Sequence, residues 1–240
     1  VGYNGSKGYT GSAGRPAYLY NVLDYGIVGD GVTDNTTAIN NLITTARAAN
    51  GGIIYFPAGT YKISSPINVT VDTGADPIGV VEIRGEGAAA SYIYQSSASQ
   101  NGIVVNSAST GLFGAWFAIE DIGIVGAAGN TAGGLVFAEI AYSQVRNVQV
   151  KGFGTGLYGS NFLSSQIISS TFTYNTNGFR FDRYTGATPT SNPNAITMLG
   201  CIVGNNTTYG GWVNGAGTFN FIGGSIEGNG SGTDLSTTKW

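Results

Sequence analysis

A repeated interval between glycines most limits the folds open to this chain. Gly134, Gly156 and Gly178 each open a short apolar run and stand 22 residues apart, and Gly211 follows after a further 33 residues. A fixed period of this size is typical of repeat architectures, in which each unit buries its apolar side chains only against its neighbours. The interval therefore predicts an all-β solenoid, a single-stranded parallel β-helix.

Aligning the four glycines predicts which side chains stack in the interior. An antiparallel sandwich is the alternative, but it would show hairpin turns rather than stacked columns of like residues. Between Gly178 and Gly211 the alignment requires an insertion of 11 residues, beyond one interval of 22. The predicted columns are Leu135–Leu157–Phe179–Trp212, Phe172–Ile202–Ile226 and Ile168–Met198–Ile222, with an asparagine ladder at Asn175–Asn205–Asn229.

One amphipathic helix is predicted near the start of the chain, over residues 34–48. Thr33 or Asp34 is the expected N-cap and Gly51 the expected C′ residue. An open end of a β-helix exposes unpaired backbone groups, so the helix is well placed as a lid over the first coil. Its apolar side is formed by Ala38, Ile39, Leu42, Ile43 and Ala46.

Three segments are predicted in all. Residues 1–16 form a collagen-like stem or a linker, residues 17–52 an entry strand and the capping helix, and residues 53–240 the parallel β-helix. In the first segment, glycines at 2, 5, 8, 11 and 14 keep a strict period of three. That period is the signature of a collagen triple helix, which requires three chains, whereas a flexible Gly/Ser linker is the alternative.

Composition excludes several kinds of chemistry. The chain has no histidine and one cysteine, Cys201, so it has no His-ligated zinc, no Ser-His-Asp triad and no disulfide framework within the chain. Catalysis would have to use carboxylates, Tyr, Lys or Arg. The net charge of −3 and ten scattered basic residues predict no nucleic-acid partner. No apolar run reaches the ~18–20 residues that span a bilayer, so no membrane insertion is expected.

The opening of the chain resembles the start of pectate-lyase-like β-helix domains from phage tailspikes, tail fibres and some secreted polysaccharide-acting enzymes. The resemblance rests on the helix and on DYG at 24–26, GDGVTD at 29–34, GG at 51–52, YFPAGTY at 55–61 and IRGEG at 83–87. It implies a right-handed β-helix and, for viral members, a homotrimer. In that family this motif is structural, so Asp30 and Asp34 are expected to form turns and caps.

The register also places candidate catalytic residues on one side of the coils. Glu139, Asn161 and Arg183 fall in one column, and Ala138, Ser160 and Asp182 in the next. With coils about 4.8 Å apart, Glu139 and Asp182 would lie roughly 10 Å from each other, at the edge of the ~6.5–9.5 Å range of an inverting carboxylate pair. A solvated polar ladder is the alternative interpretation.

Pectate lyases of this fold use acidic residues to hold calcium, with Arg or Lys as the base. The sequence contains no cluster of three or four acids, so no metal and no other cofactor is predicted. The one adjacent acid pair, Glu120 and Asp121, lies within a predicted strand, where its side chains should point to opposite faces. Asp121 is expected at the turn position that Asn147 or Ser170 fills in other coils.

Candidate ligand-binding residues lie in and beside the predicted insertion at residues 182–194. Tyr184 could stack on a sugar, and Asn192, Asn194 and Asn161 could bind its hydroxyl groups. Long lateral loops on a rigid solenoid often carry binding specificity. A tolerated surface loop or a contact between subunits is an equally open interpretation.

Three functions are compatible with these features. The leading hypothesis is a trimeric phage tail-fibre or tailspike component in the virion, attached to other tail proteins, that recognises a host surface polysaccharide. The second is an active depolymerase, a lyase or a glycoside hydrolase, on the same fold. The third is an extracellular appendage or adhesin with no glycan site.

Overall fold

The computed structural model describes residues 18–73, 79–109, 112–183, 193–230 and 235–238. The proposed stem at residues 1–16 lies outside the described residues. The strands, in chain order, are β1 (Leu19–Asn21), β2 (Asp30–Asp34), β3 (Gly52–Phe56), β4 (Gly59–Ile63), β5 (Ile67–Val71), β6 (Val81–Gly85), β7 (Ser91–Gln95), β8 (Ile103–Ser107), β9 (Gly114–Ala115), β10 (Ala118–Gly126), β11 (Gly133–Ala141), β12 (Gln144–Lys151), β13 (Thr155–Leu163), β14 (Gln166–Ile168), β15 (Thr171–Thr173), β16 (Asn177–Asp182), β17 (Ile196–Leu199), β18 (Ile202–Gly204), β19 (Tyr209–Asn214), β20 (Phe219–Ile222), β21 (Ser225–Glu227) and β22 (Leu235–Thr238).

The strands form three rows, which we call face 1, face 2 and face 3. Face 1 contains β1, β3, β6, the first half of β10, the first half of β12, β14, β17 and β20. Face 2 contains β2, β4, β7, the second halves of β10 and β12, β15, β18 and β21. Face 3 contains β5, β8, β9, β11, β13, β16, β19 and β22.

The chain visits face 1, face 2 and face 3 in turn and then begins the next coil. Every pairing between named strands of the described residues is parallel, as between β11 and β13 or β13 and β16. Parallel pairing excludes the antiparallel sandwich. The protein is mostly β with one α-helix among the described residues, which is consistent with the predicted β-helix.

The helix α1 (Thr36–Ala48) takes the place of a face 3 strand in the first coil, because it lies between β2 on face 2 and β3 on face 1. Its Asn40 side chain satisfies the edge of β5, since Oδ1 accepts a 2.8 Å hydrogen bond from the backbone N–H of Asn68. Its apolar side, including Ile39 and Leu42, is buried in the core. This position explains how the helix caps the coils.

The ends of α1 differ in detail from the prediction. Asn35 is the N-cap residue, while Asp34 Oδ1 accepts a 2.9 Å hydrogen bond from the Thr36 N–H. Asn50 adopts the left-handed conformation (φ 69°) that was expected of Gly51, because asparagine tolerates that region. Gly51 follows it and donates to the Ala46 carbonyl oxygen at 2.8 Å. No helix among the described residues is both long enough and apolar enough to cross a membrane.

The interior columns confirm the 22-residue interval up to Phe179 and correct it beyond. Leu135 pairs with Leu157, and Leu157 with Phe179, but Phe179 pairs with Gly211. Trp212 instead pairs with Arg180 on the outer side of face 3, so its predicted place in the column is wrong. A Cβ atom on Gly211 would lie 2.2 Å from Phe179 Cζ, so the glycine makes room for the ring.

The same one-residue error affects the other predicted columns. Across the insertion, face 3 advances by 32 residues rather than 33, and faces 1 and 2 advance by 31 rather than the 30 that the predicted columns assumed. The observed columns are Phe172–Val203–Ile226 and Ile167–Met198–Phe221, and the asparagine ladder is Asn175–Asn206–Asn229. Ile202 and Ile222 consequently point outward, each 51% exposed.

Candidate functional site

Each coil bends from face 3 to face 1 at a residue with a left-handed backbone. Four bends are described, at Trp116 (φ 71°), Tyr142 (φ 53°), Ser164 (φ 45°) and Ala195 (φ 52°). For residues other than glycine this conformation costs roughly 1–2 kcal/mol. Serine and alanine serve at two of the bends, so the turn itself does not require an aromatic side chain.

The two aromatic bend residues form an exposed stacked pair, which we call the aromatic platform. The Trp116 and Tyr142 rings lie 5.2 Å apart between centroids at an interplanar angle of 20°. More than half of each residue is exposed, at 54% and 55%. Large aromatic groups usually bury their surface in a core, so a solvent-facing pair is typical of a binding surface.

A shallow pocket of about 220 Å³ adjoins the aromatic platform. Gln144 and Gln166 are paired in neighbouring coils of face 1 and supply amide donors and acceptors on one side. Ser143 and Ser164 complete the lining. Flat aromatic surfaces beside amide and hydroxyl groups suit a ligand with both C–H faces and hydroxyl groups, as a sugar has.

A charged column lies two residues further along the same strands of face 1. Arg84 pairs in register with Glu120, and Glu120 with Arg146. Glu120 receives both guanidinium groups: Arg84 Nε lies 2.6 Å from Oε1, and Arg146 Nη2 bonds Oε2. Glu82 joins the column through two hydrogen bonds from Arg84 to its Oε1 atom, at 2.9 and 2.6 Å.

The carboxyl groups of Glu82 and Glu120 have pKa values shifted in opposite directions. Burial, followed by the hydrogen bond to Glu120, raises the pKa of Glu82 despite the adjacent Arg84. Burial would also raise the pKa of Glu120, but the hydrogen bond with Glu82 and the positive charges of Arg146 and Arg84 outweigh it and lower the pKa. Glu82 is therefore the proton donor of the pair and Glu120 the acceptor.

Replacing Glu82 with glutamine is expected to stabilise the protein at neutral pH. The raised pKa means that the fold favours the protonated form, so its stabilising effect is present at low pH and is lost as pH rises through the folded pKa. An amide keeps the hydrogen bonds without the charge. We expect E82Q to raise Tm at pH 7 by roughly 2–4 °C, with the difference shrinking toward pH 4. Thermal melts from pH 4 to 8 measure this, with E227Q on exposed face 2 as the control; a lower Tm for E82Q at pH 7 would contradict it.

The prediction that Glu120 and Asp121 point to opposite faces is wrong. Asp121 has a left-handed backbone (φ 56°), which interrupts the alternation of side chains along β10. Its carboxylate lies 3.9 Å from Arg146, the residue that also bonds Glu120. Asn147 donates to Asp121 at 2.7 Å and fills the equivalent bend position, as predicted, whereas Ser169 rather than Ser170 follows in the next coil.

The structure brings together the main residues of the sequence-predicted site. Ala138, Ser160 and Asp182 pair in register, as predicted. Glu139 and Asn161 follow as equivalent left-handed residues of consecutive coils, with φ of 57° and 55°. Glu139, Asn161 and Asp182 are all buried.

Asp182 has two different carboxylate oxygens. Its Oδ2 atom accepts a 2.5 Å hydrogen bond from Arg180, whereas Oδ1 is buried with no hydrogen-bond partner among the described residues, as is Asn161 Oδ1. Burial, and then the negative charge of Asp182, raise the pKa of nearby Tyr158. The Tyr158 phenol is therefore neutral at pH 7 and can act as a hydrogen-bond donor.

The remaining predicted site residues are not gathered at this cluster. Arg183 directly follows Asp182 and is half-buried. Asn194 is exposed one residue before the Ala195 bend, where its backbone N–H donates to the Phe162 carbonyl. Tyr184 and Asn192 lie outside the described residues. No group of three or more acidic, cysteine or histidine residues in the described ranges could hold a metal ion.

The aromatic platform and the charged column were missed by the sequence analysis. Trp116 and Tyr142 stand 26 residues apart, as do Glu120 and Arg146, because this coil is four residues longer than the next two. A search for the 22-residue interval passes over them. A second alignment at an interval of 26 would have placed both pairs in register.

Comparisons with known proteins support a pectate-lyase-like fold. Residues 19–118 match the family described as rhamnogalacturonase A/epimerase, pectate lyase-like. Mannuronan C5-epimerase AlgE1 of Azotobacter vinelandii is 56% identical over 45 residues, which are 19% of this chain and 3% of that protein. The chain therefore spans only a small part of the curated relatives that it matches.

Two solved structures share the fold over most of the chain. ORF18 of Geobacillus virus E2 superposes with a TM-score of 0.51 at 19% identity, covering 92% of this chain and 60% of that one. The catalytic unit of the thermostable GH87 alpha-1,3-glucanase from Streptomyces thermodiastaticus strain HF3-3 gives a TM-score of 0.60 at 18% identity, covering 94% and 43%. At these identities the likeness concerns the fold.

Proposed function

We propose that this chain is a component of a trimeric phage tail fibre or tailspike and binds a host surface polysaccharide at the aromatic platform. The proposal includes a right-handed solenoid, a collagen-like stem at residues 2–14, location in the virion and attachment to other tail proteins. One observation carries the binding role: Trp116 and Tyr142 stack in solvent beside a pocket lined by glutamine and serine side chains.

The bend geometry supports a role for these side chains in binding. Ser164 and Ala195 make the equivalent bends in later coils, so folding does not require Trp116 or Tyr142 there. An exposed stacked pair adds little to the core. Placing two large aromatic side chains at strained, exposed positions is best explained by a ligand that covers them.

Two further observations favour a viral, glycan-directed role. A protein of Geobacillus virus E2 shares the fold across 92% of this chain, and a polysaccharide-acting glucanase shares it across 94%. The strict glycine period at residues 2–14 favours an assembly of three chains. A rigid β-helix then presents three copies of the aromatic platform, which raises avidity for a repeating polymer.

A glycan array tests the proposal directly. The full chain should bind one or more bacterial surface polysaccharides, and light scattering should report a trimer at micromolar concentration. Binding to no polysaccharide would contradict the recognition role and favour the third function, a structural appendage or adhesin. A monomer would contradict the trimer.

A polysaccharide depolymerase is the second candidate function. The buried carboxylates of Glu139 and Asp182 lie in adjacent columns and two coils apart, in the register expected of an acid–base pair. One carboxylic acid would protonate the leaving oxygen of the glycosidic bond while the other carboxylate removes a proton from water or from the sugar. Arg183 would stabilise the developing negative charge.

Amide variants test the depolymerase. If the parent releases sugar from a polysaccharide that it binds, E139Q and D182N should each lower the rate about 100-fold or more, because a positioned acid or base contributes typically 10²–10⁴-fold. Binding to the same polysaccharide should persist. Reducing-end and ultraviolet assays measure hydrolysis and elimination, with E227Q as the control. Unchanged rates in both amide variants would place the chemistry elsewhere.

A further inference from the structure

The corner between face 1 and face 2 changes character along the protein. In the coil of β12, the outward residues at this corner are Arg146 and Gln149. In the later coils the same positions are aliphatic, and we call these residues the apolar corner. They are Ile168, half-buried, and Leu199, Ile202 and Ile222, which are 44%, 51% and 51% exposed.

The apolar corner is continuous over three coils. Ile168 pairs with Leu199, and Leu199 with Ile222, so the three side chains form one column on face 1. Ile202 lies across the bend at Gly200, at the first position of face 2. Outward positions of a solvated sheet are usually polar, and a contiguous aliphatic patch usually marks an interaction surface.

A second copy of this chain is the occupant that fits. The glycine period at residues 2–14 favours three parallel chains, which fixes the copies at the same height. Four residues separate Gly14 from Tyr18, so the first described residue lies within roughly 14 Å of the stem. The three domains must therefore begin close to one axis, where equal coils of the three copies face one another.

Resting on the trimer of the proposed function, we propose that the apolar corner lies along the threefold axis and packs against its equivalents in two further copies of this chain. A corner can approach an axis more closely than a flat face can. Parallel copies then place Ile168, Leu199 with Ile202, and Ile222 in successive layers of like residues. Such layers resemble those of a coiled coil, where aliphatic knobs repeat along a shared axis.

The apolar corner is one part of the trimer contact. Stable interfaces bury roughly 800 Å² per partner, more than four partly exposed side chains supply. The stem contributes by raising the effective concentration of the three domains. Weakening the corner should therefore shift the trimer equilibrium by at least about tenfold without unfolding the coils, because its residues are outside the core.

Cross-linking tests the position of the axis. Cys201 is fully buried, so the only reactive thiol of an Ile222→Cys variant is the introduced one. In the full chain, a short bis-maleimide should join Ile222→Cys protomers into covalent dimers. Val32→Cys, at a 73% exposed position in the first coil, is the matched control and should give far fewer. Absence of Ile222→Cys dimers in a protein that is trimeric by sedimentation would overturn the inference and leave the trimer intact.

A second measurement uses the corner without a new thiol. The pair Leu199→Asn and Ile222→Asn should lower the trimer fraction of the full chain in sedimentation equilibrium at micromolar concentration, whereas Val32→Asn should not. Thermal melts should show that the asparagine variants keep the coils folded. A parent chain that sediments as a monomer would overturn the proposed trimer and this inference together. A trimer equally stable in the double variant and the parent would overturn the inference alone.

Discussion

Replacing Phe179 with aspartate is expected to unfold the β-helix at room temperature. Phe179 has no exposed surface and lies 5.3 Å from Phe181 and 5.6 Å from Phe219 between ring centroids. The substitution removes a packed ring, which typically costs 3–5 kcal/mol, and adds an unpaired buried charge that costs several kcal/mol more. The sum approaches the whole stability of a typical domain.

Circular dichroism and thermal melting measure this effect. The matched control is Tyr174→Asp, because Tyr174 lies in the preceding coil and is 66% exposed. The control should melt within about 2 °C of the parent, since surface substitutions usually change stability by less than ~0.5 kcal/mol. A Phe179→Asp variant that melts like the parent would contradict the interior column that joins Leu157, Phe179 and Gly211.

Removing the aromatic platform is expected to abolish polysaccharide binding while leaving the fold intact. Trp116→Ala and Tyr142→Ala should each weaken binding about 30-fold or more, since truncating an aromatic residue central to an interface costs ~2 kcal/mol or more. Alanine suits these bends, because Ala195 already occupies the equivalent position in a later coil. The double variant should therefore fold like the parent and show no binding.

Binding isotherms on immobilised polysaccharide give the comparison, with Tm measured on the same samples. Tyr174→Ala is the control, because Tyr174 is an exposed aromatic residue at a different bend. It should bind as the parent does. Parental affinity in the double variant would exclude the aromatic platform as the glycan site.

The sequence was sufficient for the parallel, coiled organisation because interior residues repeat at a regular interval. Leu135, Leu157 and Phe179 could be aligned from their spacing alone. The alignment failed after Phe179 because the insertion has no internal signal for its length, and Gly210 and Gly211 are adjacent. Choosing the second glycine placed Trp212 inside, where the structure has Gly211 making room for the Phe179 ring.

The site was harder to predict because it depends on bends rather than on strands. A left-handed residue such as Asp121 breaks the alternation of side chains, so Glu120 and Asp121 both approach Arg146. Nothing in the local sequence distinguishes that bend from an ordinary strand position. The pairs Trp116–Tyr142 and Glu120–Arg146 form only when a 26-residue coil is aligned with its neighbour.

The bend from face 3 to face 1 makes recognition and folding mutationally independent. One left-handed residue per coil faces outward there, and tryptophan, tyrosine, serine and alanine all occupy that position in this single chain. Neighbouring coils are about 4.8 Å apart, close to the width of one aromatic ring with its contacts. The column therefore acts as a row of interchangeable positions, at which new side chains can alter the ligand while the buried columns stay the same.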